Sequence, residues 1–259
     1  MKIERVLAPN PGLFTGPGTN TYVLSDSSLA IVLDPGPVID VHIEAIEIAL
    51  GGLDPIAVMV THTHRDHAPA ANILGQTLGV EVLGYAPGPE FEPTRMLTNG
   101  QVVTLGEVDV VAIHTPGHTA DHLCYRIADV VFSGDHVMGG STVVIEDAAA
   151  YMQSLKLMAG LRPAHLYPGH GSRIDDVSVA ITEYINHRIE REYEIVAAVR
   201  SGAVTSEDIT EVVYAGVDPM LQAAAQRQGR SQTLQPQWRR GQRRDPHTVR
   251  SEPPLRDGS

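Results

Sequence analysis

A chain of 259 residues with 42% apolar content is long enough for one large domain and a small appendage. The formal net charge of −12 is unevenly placed: from Gln226 onward eight arginines meet three acids, a net of +5, and the body before it holds 11 basic and 28 acidic residues, a net of −17. An acidic body disfavours diffuse binding to nucleic acid or anionic membrane. The single cysteine, Cys124, excludes an internal disulfide and reads as a small core residue. The start, Met1 to Arg5, leads into Pro and Gly without an apolar signal region, and no apolar run reaches membrane-spanning length. A soluble, cytoplasmic protein is expected.

Residues 9–21 are rich in turn formers and lead into a strand at Tyr22–Leu24. Ser25 to Ser28 predicts a hairpin turn, and Leu29–Leu33 the next buried strand, ended by Asp34-Pro35-Gly36. Asp34 is either a turn residue or an acceptor pointing from a strand end into a site. A helix over 41–50 closes at Gly51-Gly52. Ile56–Val60 is short, apolar and partly β-branched, as a buried strand should be. The stretch Thr61-His62-Thr63-His64-Arg65-Asp66-His67 follows it, then a helix over 68–78 that Gly79 ends. Strands are expected at 80–84, 101–105, 108–113, 123–127, 130–132 and 165–167, and a long helix over 176–200. The intervals 85–99 and 138–150 are expected to be loops that shape a substrate pocket.

Three imidazoles and a carboxylate within six residues, directly after an apolar strand, point to a metal. If the extended geometry carries on, His62 and His64 at i, i+2 face one side, and Asp66 and His67 follow where the chain turns into a helix. Three later strands also end in a ligand-type residue beside a turn. These are His118 in Thr115-Pro116-Gly117-His118, Asp135 in Ser133-Gly134-Asp135-His136, and His170 in Pro168-Gly169-His170-Gly171. Spacing assigns His62, His64 and His118 to one metal, Asp66, His67 and His170 to a second, and Asp135 to the bridge between them. Two zinc ions are the default, and iron or manganese suit the same donors. Such a site holds its ions roughly 3.5–4 Å apart, generates a bridging hydroxide and polarises the oxygen under attack. Asp66 is also the catalytic candidate, placed to orient the nucleophile or return a proton to the leaving group. The reaction class is hydrolysis of an ester, thioester, amide or phosphodiester. Among the other histidines, His42 is expected on a surface helix and His114 in a structural place. His122 and His136 follow acids near the site, His165 begins a strand, His187 lies on the long helix, and His247 lies in the tail.

Taken in order, these motifs resemble the metallo-β-lactamase superfamily over residues 15–175. The resemblance implies an α+β fold, a four-layer αββα sandwich of two mixed sheets with helices outside and metals at one edge. True metallo-β-lactamases carry Cys or no bridge at the position matching Asp135, so β-lactam hydrolysis is expected only as a weak side activity. Only 34 residues separate Asp135 from His170, too few for the large inserted domain of the superfamily's RNA-cleaving and DNA-repair nucleases. Two stretches are similar to the β-lactamase-like protein 2 branch. One is Asn10 to Thr15 with Gly18 to Tyr22, and the other is Tyr184-Ile185-x-His187-Arg188-x-x-Arg191-Glu192. That branch includes a mitochondrial endoribonuclease acting on single-stranded RNA and fungal acyl-carrier-protein thioesterases.

On the long helix, apolar residues at 177, 181, 185, 189, 196 and 199 predict the buried face, with His187-Arg188 and Arg191-Glu192 either on a solvated or salt-bridged face or holding substrate or the next domain. Thr205 to Asp208 is a capping-box pattern opening a short helix to Tyr214, and Asp218-Pro219 caps another through about Gln226. The branch implies a winged-helix-like domain here, of which only a part is legible. Composition then changes abruptly inside an expected helix, so the end is expected to be truncated or read out of frame, or else to be an RNA-binding basic tail. The expected organisation is a hydrolase domain over 1–202, a partial winged-helix-like region over 203–226 and a disordered basic tail over 227–259. The expected function is a dinuclear zinc hydrolase of a small ester or thioester, similar to hydroxyacylglutathione hydrolase or an acyl thioesterase. The alternative is a single-strand-specific endoribonuclease, with single-stranded RNA as partner. No membrane partner is expected, and the oligomeric state is open.

Overall fold

Short strands that are apolar on both faces need cover on both sides, and the layering follows from that. The computed structural model describes residues 1–139 and 143–215. Strands β1 (Lys2–Leu7), β2 (Asn20–Asp26), β3 (Leu29–Leu33), β4 (Asp54–Met59), β5 (Glu81–Gly84) and β6 (Arg95–Met96) form one mixed sheet in sequential order. Strands β7 (Val102–Leu105), β8 (Val108–His114), β9 (Leu123–Ile127), β10 (Val130–Gly134) and β11 (His165–Pro168) form the second, in the order 11-10-9-8-7. Along β3, Ile31 and Leu33 face the second sheet, where they join Tyr125 and Phe132 in the central core. Ala30 and Val32 point outward to Ile46, Leu50 and Leu74 on helices α1 (Asp40–Leu50) and α2 (Ala70–Leu78). The second sheet repeats the arrangement: Cys124, Val131 and Leu166 point outward to Tyr151, Leu155 and Ile181, on helices α3 (Ala148–Leu161) and α4 (Val177–Arg200). Four layers, αββα, result. Buried Cys124 is a core residue, as expected. No helix among the described residues is long and apolar enough to cross a membrane.

Several elements differ from expectation. β1 and β6 were not legible in the pattern, and β6 falls inside the interval expected to be loop. Helix α3 begins inside the expected 138–150 loop. Its Asp147 cap accepts hydrogen bonds from Ala149 and Ala150 at 2.9 and 3.0 Å, and its inward residues Tyr151, Leu155 and Met158 stand at helical spacing. His42 is not on a surface. It shares the four-residue spacing of Ile46 and Leu50, is buried with them, and lies 2.9 Å from the Thr21 hydroxyl. On α4 the buried stripe is Val177, Ile181, Arg188, Ile195 and Ala198, so the apolar face runs through Arg188, and Ile189 is exposed. Arg191 is tied to the chain that follows: its Nη1 donates to the Val213 carbonyl at 2.8 Å and its guanidinium lies 4.3 Å from the Tyr214 ring centre. The capping box between Thr205 and Asp208 opens helix α5 (Ser206–Val213), which packs on α4. The expectations for a helix from Asp218 and for the basic tail lie outside the described residues.

Gly117 shows how tightly the loops close on the helices. Its φ is +137°, and a Cβ built there would stand 2.4 Å from the Tyr151 Cα. Its carbonyl accepts from the backbone of Glu146 and Asp147, which fixes the entry to α3. Gly117→Ala is therefore expected to lower stability by roughly 2–4 kcal/mol, from a strained backbone and a backbone clash together. A urea midpoint displaced downward with unchanged slope is the expected reading.

Candidate metal centre

The site is assembled by loops that leave one edge of both sheets. β4 ends at Met59, so the His62–His67 stretch is not extended strand but a loop that turns at 65–67 into α2. His67 and Ala68 donate backbone hydrogen bonds to the His64 carbonyl at 3.0 and 3.1 Å, and this turn swings His67 back beneath His62. The loop after β8 delivers His118, the end of β10 delivers Asp135, and the loop after β11 delivers His170. Gly169 permits the close approach: a Cβ there would fall 2.5 Å from Asp135 Oδ1 and 2.6 Å from the His67 ring.

Two donor sets result, His62, His64, His118 and Asp135 in one, Asp66, His67, Asp135 and His170 in the other. Within each, one donor atom per residue lies within 4.8 Å of all the rest. His64 Nδ1 lies 3.0 Å from His62 Nε2 and 3.1 Å from His118 Nε2. Nitrogens bound to one tetrahedral zinc at about 2.0–2.1 Å stand roughly 3.3 Å apart, so the three imidazoles converge as a metal would require. In the second set, His67 Nε2 and His170 Nε2 are 3.2 Å apart, and Asp66 Oδ2 is 3.1 Å from His170 Nε2 and 3.6 Å from His67 Nε2. Asp135 stands between: its Oδ2 is 3.8 Å from His118 Nε2 and 3.4 Å from His170 Nε2. Its Oδ1 is buried and accepts no hydrogen bond among the described residues, an arrangement that suits a cation. Imidazole and carboxylate donors without thiolate fit zinc, iron or manganese.

The outer ring nitrogens explain why the inner ones point inward. His118 Nδ1 donates to the Val144 carbonyl at 2.6 Å, and His170 Nδ1 to the Gly18 carbonyl at 3.2 Å. His67 Nδ1 donates to Asp34 Oδ2 at 3.0 Å. The Thr61 hydroxyl gives its proton to the same Asp34 oxygen at 2.8 Å, so His62 Nδ1, 3.0 Å from that hydroxyl, must be the donor to it. Each bond holds the proton on the outer nitrogen and leaves the inner one a lone pair. Asp34 thus braces one imidazole of each donor set, and its Oδ1 also accepts from the Thr61 backbone at 2.7 Å. Its φ of +49° turns the carboxylate from the end of β3 into the site. A further support is His122, whose Nε2 accepts from the Asp135 backbone at 3.2 Å and whose Nδ1 lies 2.9 Å from the Thr115 hydroxyl.

Electrostatics separates the two sets. Burial drives His62 well below the ordinary imidazole value, helped by His67 and His118, and drives His118 down to about 4. Burial also works against charge on His67 and His170. There the carboxylates win: Asp135, Asp66 and Asp34 raise His67 well up, and Asp135 with Asp66 raises His170 to about 9. Burial works to raise Asp66 in turn, and His67 and His170 outweigh it, leaving Asp66 at about 2. The aspartates therefore place a strong negative field at the second set, where protons and a divalent ion compete for the same nitrogens.

All seven residues singled out as ligands come together, and His114 and His165 lie apart, His114 stacked on Tyr85 at 4.2 Å between centroids. His136 is buried beside Tyr151, with neither ring nitrogen bonded among the described residues. Sequence reading missed Thr61 and the carbonyls of Gly18 and Val144, and a backbone acceptor leaves no side-chain signal to find.

Two sandwiched mixed sheets with a cluster of candidate histidine and aspartate metal donors at one edge define the metallo-beta-lactamase type of fold. The chain belongs to the metallo-beta-lactamase superfamily, whose family description matches residues 14–170. It is 34% identical over 229 residues to the Caenorhabditis elegans beta-lactamase-like protein 2 homolog, covering 82% of this chain and 76% of that one. It is 32% identical over 229 residues to the atrochrysone carboxyl ACP thioesterase of Aspergillus chevalieri, covering 83% and 74%. Its fold superposes on a metallo-beta-lactamase family protein of Thermus thermophilus with a TM-score of 0.73 at 18% identity, covering 88% of this chain and 91% of that one.

Asp34→Asn tests the bracing. Asparagine tolerates the left-handed backbone, but it has one acceptor oxygen, so it cannot both accept from the Thr61 backbone at one position and from the Thr61 hydroxyl and His67 at the other. The expected outcome is a loss of metal affinity of about 10–100-fold, read by competition with a chromophoric chelator, with the fold retained.

Proposed function

We propose that this chain is a dinuclear metal-dependent hydrolase of a small thioester or ester, with zinc as the metal and iron or manganese able to replace it. The observation that carries the reading is the pair of donor sets sharing Asp135. His62, His64 and His118 would hold one ion, Asp66, His67 and His170 the other, and Asp135 would reach both. Bound there, the ions supply Lewis-acid polarisation of the scissile carbonyl and acidify the attacking water.

The chain's own residues do the rest. Asp66 is the most exposed carboxylate of the cluster, at 26%, against 8% for Asp135 and 3% for Asp34. Its Oδ2 faces His170 and His67, and its Oδ1 makes no hydrogen bond among the described residues, so Oδ1 is assigned to orienting the attacking water. Asp34, Asp66 and Asp135 all face imidazoles, so no carboxylic acid stands ready to protonate a leaving group. A thiolate, whose parent thiol has a pKa of about 8.5, leaves without that help far more readily than an alkoxide or amine. This favours thioesters, the substrate class in the names of two relatives. Arg188 is buried and Arg191 is bonded to the Val213 carbonyl, so neither offers an exposed cation to an RNA backbone.

Turnover is the test. Zinc-loaded protein is expected to hydrolyse S-lactoylglutathione or an acyl-coenzyme A and to leave a single-stranded RNA oligomer intact. Asp66→Asn should lower kcat by about 10²–10⁴-fold. His118→Ala should abolish turnover, and a chelator should do the same reversibly, with activity restored by added metal. RNA cleavage that is lost in Asp135→Ala, without thioester turnover, would overturn the reading in favour of an endoribonuclease.

A further inference from the structure

Directly behind the metal loop lies a positive charge that the donor sets and their braces do not use. Arg188 is only 9% exposed, and its Nε and Nη1 are buried without a hydrogen-bond partner among the described residues. A buried, unpaired guanidinium is among the costliest arrangements in a protein interior, so it marks a place where a counter-charge belongs. The acids of its own helix do not supply one: Glu183, Glu190 and Glu192 are on the exposed face, and Glu194 is 2.9 Å from Arg191. Arg191, three residues further on, is already met by Glu194 and the Val213 carbonyl. Together the two arginines and burial depress the half-buried His187 beside them.

The location connects this charge to the site. Tyr184, one turn before Arg188, lies 3.2 Å from the Met138 backbone nitrogen and donates to its carbonyl at 3.0 Å. Tyr151 donates to the His136 carbonyl at 2.6 Å. Arg188, one helical turn beyond Tyr184 and buried, therefore lies behind the loop that follows Asp135. The planar donor fork of an arginine matches two oxygens of a carboxylate or phosphate.

We propose that Arg188 forms an oxyanion subsite next to the metal centre, which takes a carboxylate or phosphate carried by the substrate at a distance from the scissile bond. The proposal rests on the thioester reading above, and its test separates the two. Zinc-loaded wild type and Arg188→Met are assayed on matched thioesters: acyl-pantetheine 4′-phosphate against acyl-pantetheine for phosphate, and S-acylglutathione against the neutral S-acyl-N-acetylcysteamine for carboxylate. Arg188→Met is expected to raise KM about 10–100-fold on the phosphate pair's or the glutathione pair's anionic member, with kcat little changed and the neutral member's KM little moved. Whichever pair responds names the source of the oxyanion. Arg188→Lys, which keeps the charge and loses the fork, should recover part of the loss, and it serves alone if the Met variant does not fold. An equal loss on neutral and anionic members would make Arg188 a structural support of the metal loop and overturn the proposal, as would equal KM values for both members of each pair in the wild type. If no thioester is turned over, the functional reading fails by itself. The subsite is then judged by thermal melting with inorganic phosphate. A larger upward shift in wild type than in Arg188→Met sustains it, and equal shifts overturn it.

Discussion

The carboxylate of Asp34 holds both halves of the centre at once. It accepts from the Thr61 backbone, from the Thr61 hydroxyl and from His67, and through that hydroxyl it orients His62. An aspartate in this left-handed conformation at a strand end carries a backbone cost of order 1–3 kcal/mol, which only an over-determined surrounding sustains. Four imidazoles whose lone pairs face one another would otherwise rotate apart. The bracing of their outer nitrogens makes a cluster of like groups into a preformed set of donors.

The two-sheet sandwich serves this geometry by bringing distant strand ends to one edge. β4, β8, β10 and β11 each stop within a few residues of a donor, and the strands themselves are buried by the central and outer cores. The donor loops thus hang from rigid supports, and the glycines at 117 and 169 let backbone and ring approach where a Cβ would collide. Asp135, at the end of an interior strand, reaches toward both donor sets.

Much of this was legible before any coordinates, and the reasons are physical. Strands over Leu29–Leu33 and Leu123–Ile127 are bounded by strong turn residues, so their limits read directly from the chain. The seven donors were legible because imidazole and carboxylate beside a turn after an apolar run have few other uses. The geometry assumed for His62 and His64 was incomplete: they converge from a loop, and the turn at 65–67 does what an extended strand was expected to do. α3 escaped notice because Ala148 to Ala150 and Gly160 dilute its periodic face. Arg188 was misplaced because side-chain polarity was taken as a guide to exposure, while the stripe it shares with Ile181 and Ile195 is set by helix geometry. Thr61's relay and the Gly18 and Val144 carbonyls depend on tertiary placement and leave no local pattern.

His170 carries one more implication. Its outer nitrogen meets the Gly18 carbonyl, Thr19 bridges to it, and Asn20 bonds the carbonyls of Pro168, Gly169 and Gly171. The second donor set is therefore incomplete until a loop of about 150 residues has closed, the slowest kind of contact for a chain to make. Residues His62 to His67 are close in the chain, but they hold only part of either set. The centre is complete only when the two ends of the sandwich have met. An ion held by both sets would seal that long-range closure and resist its reopening.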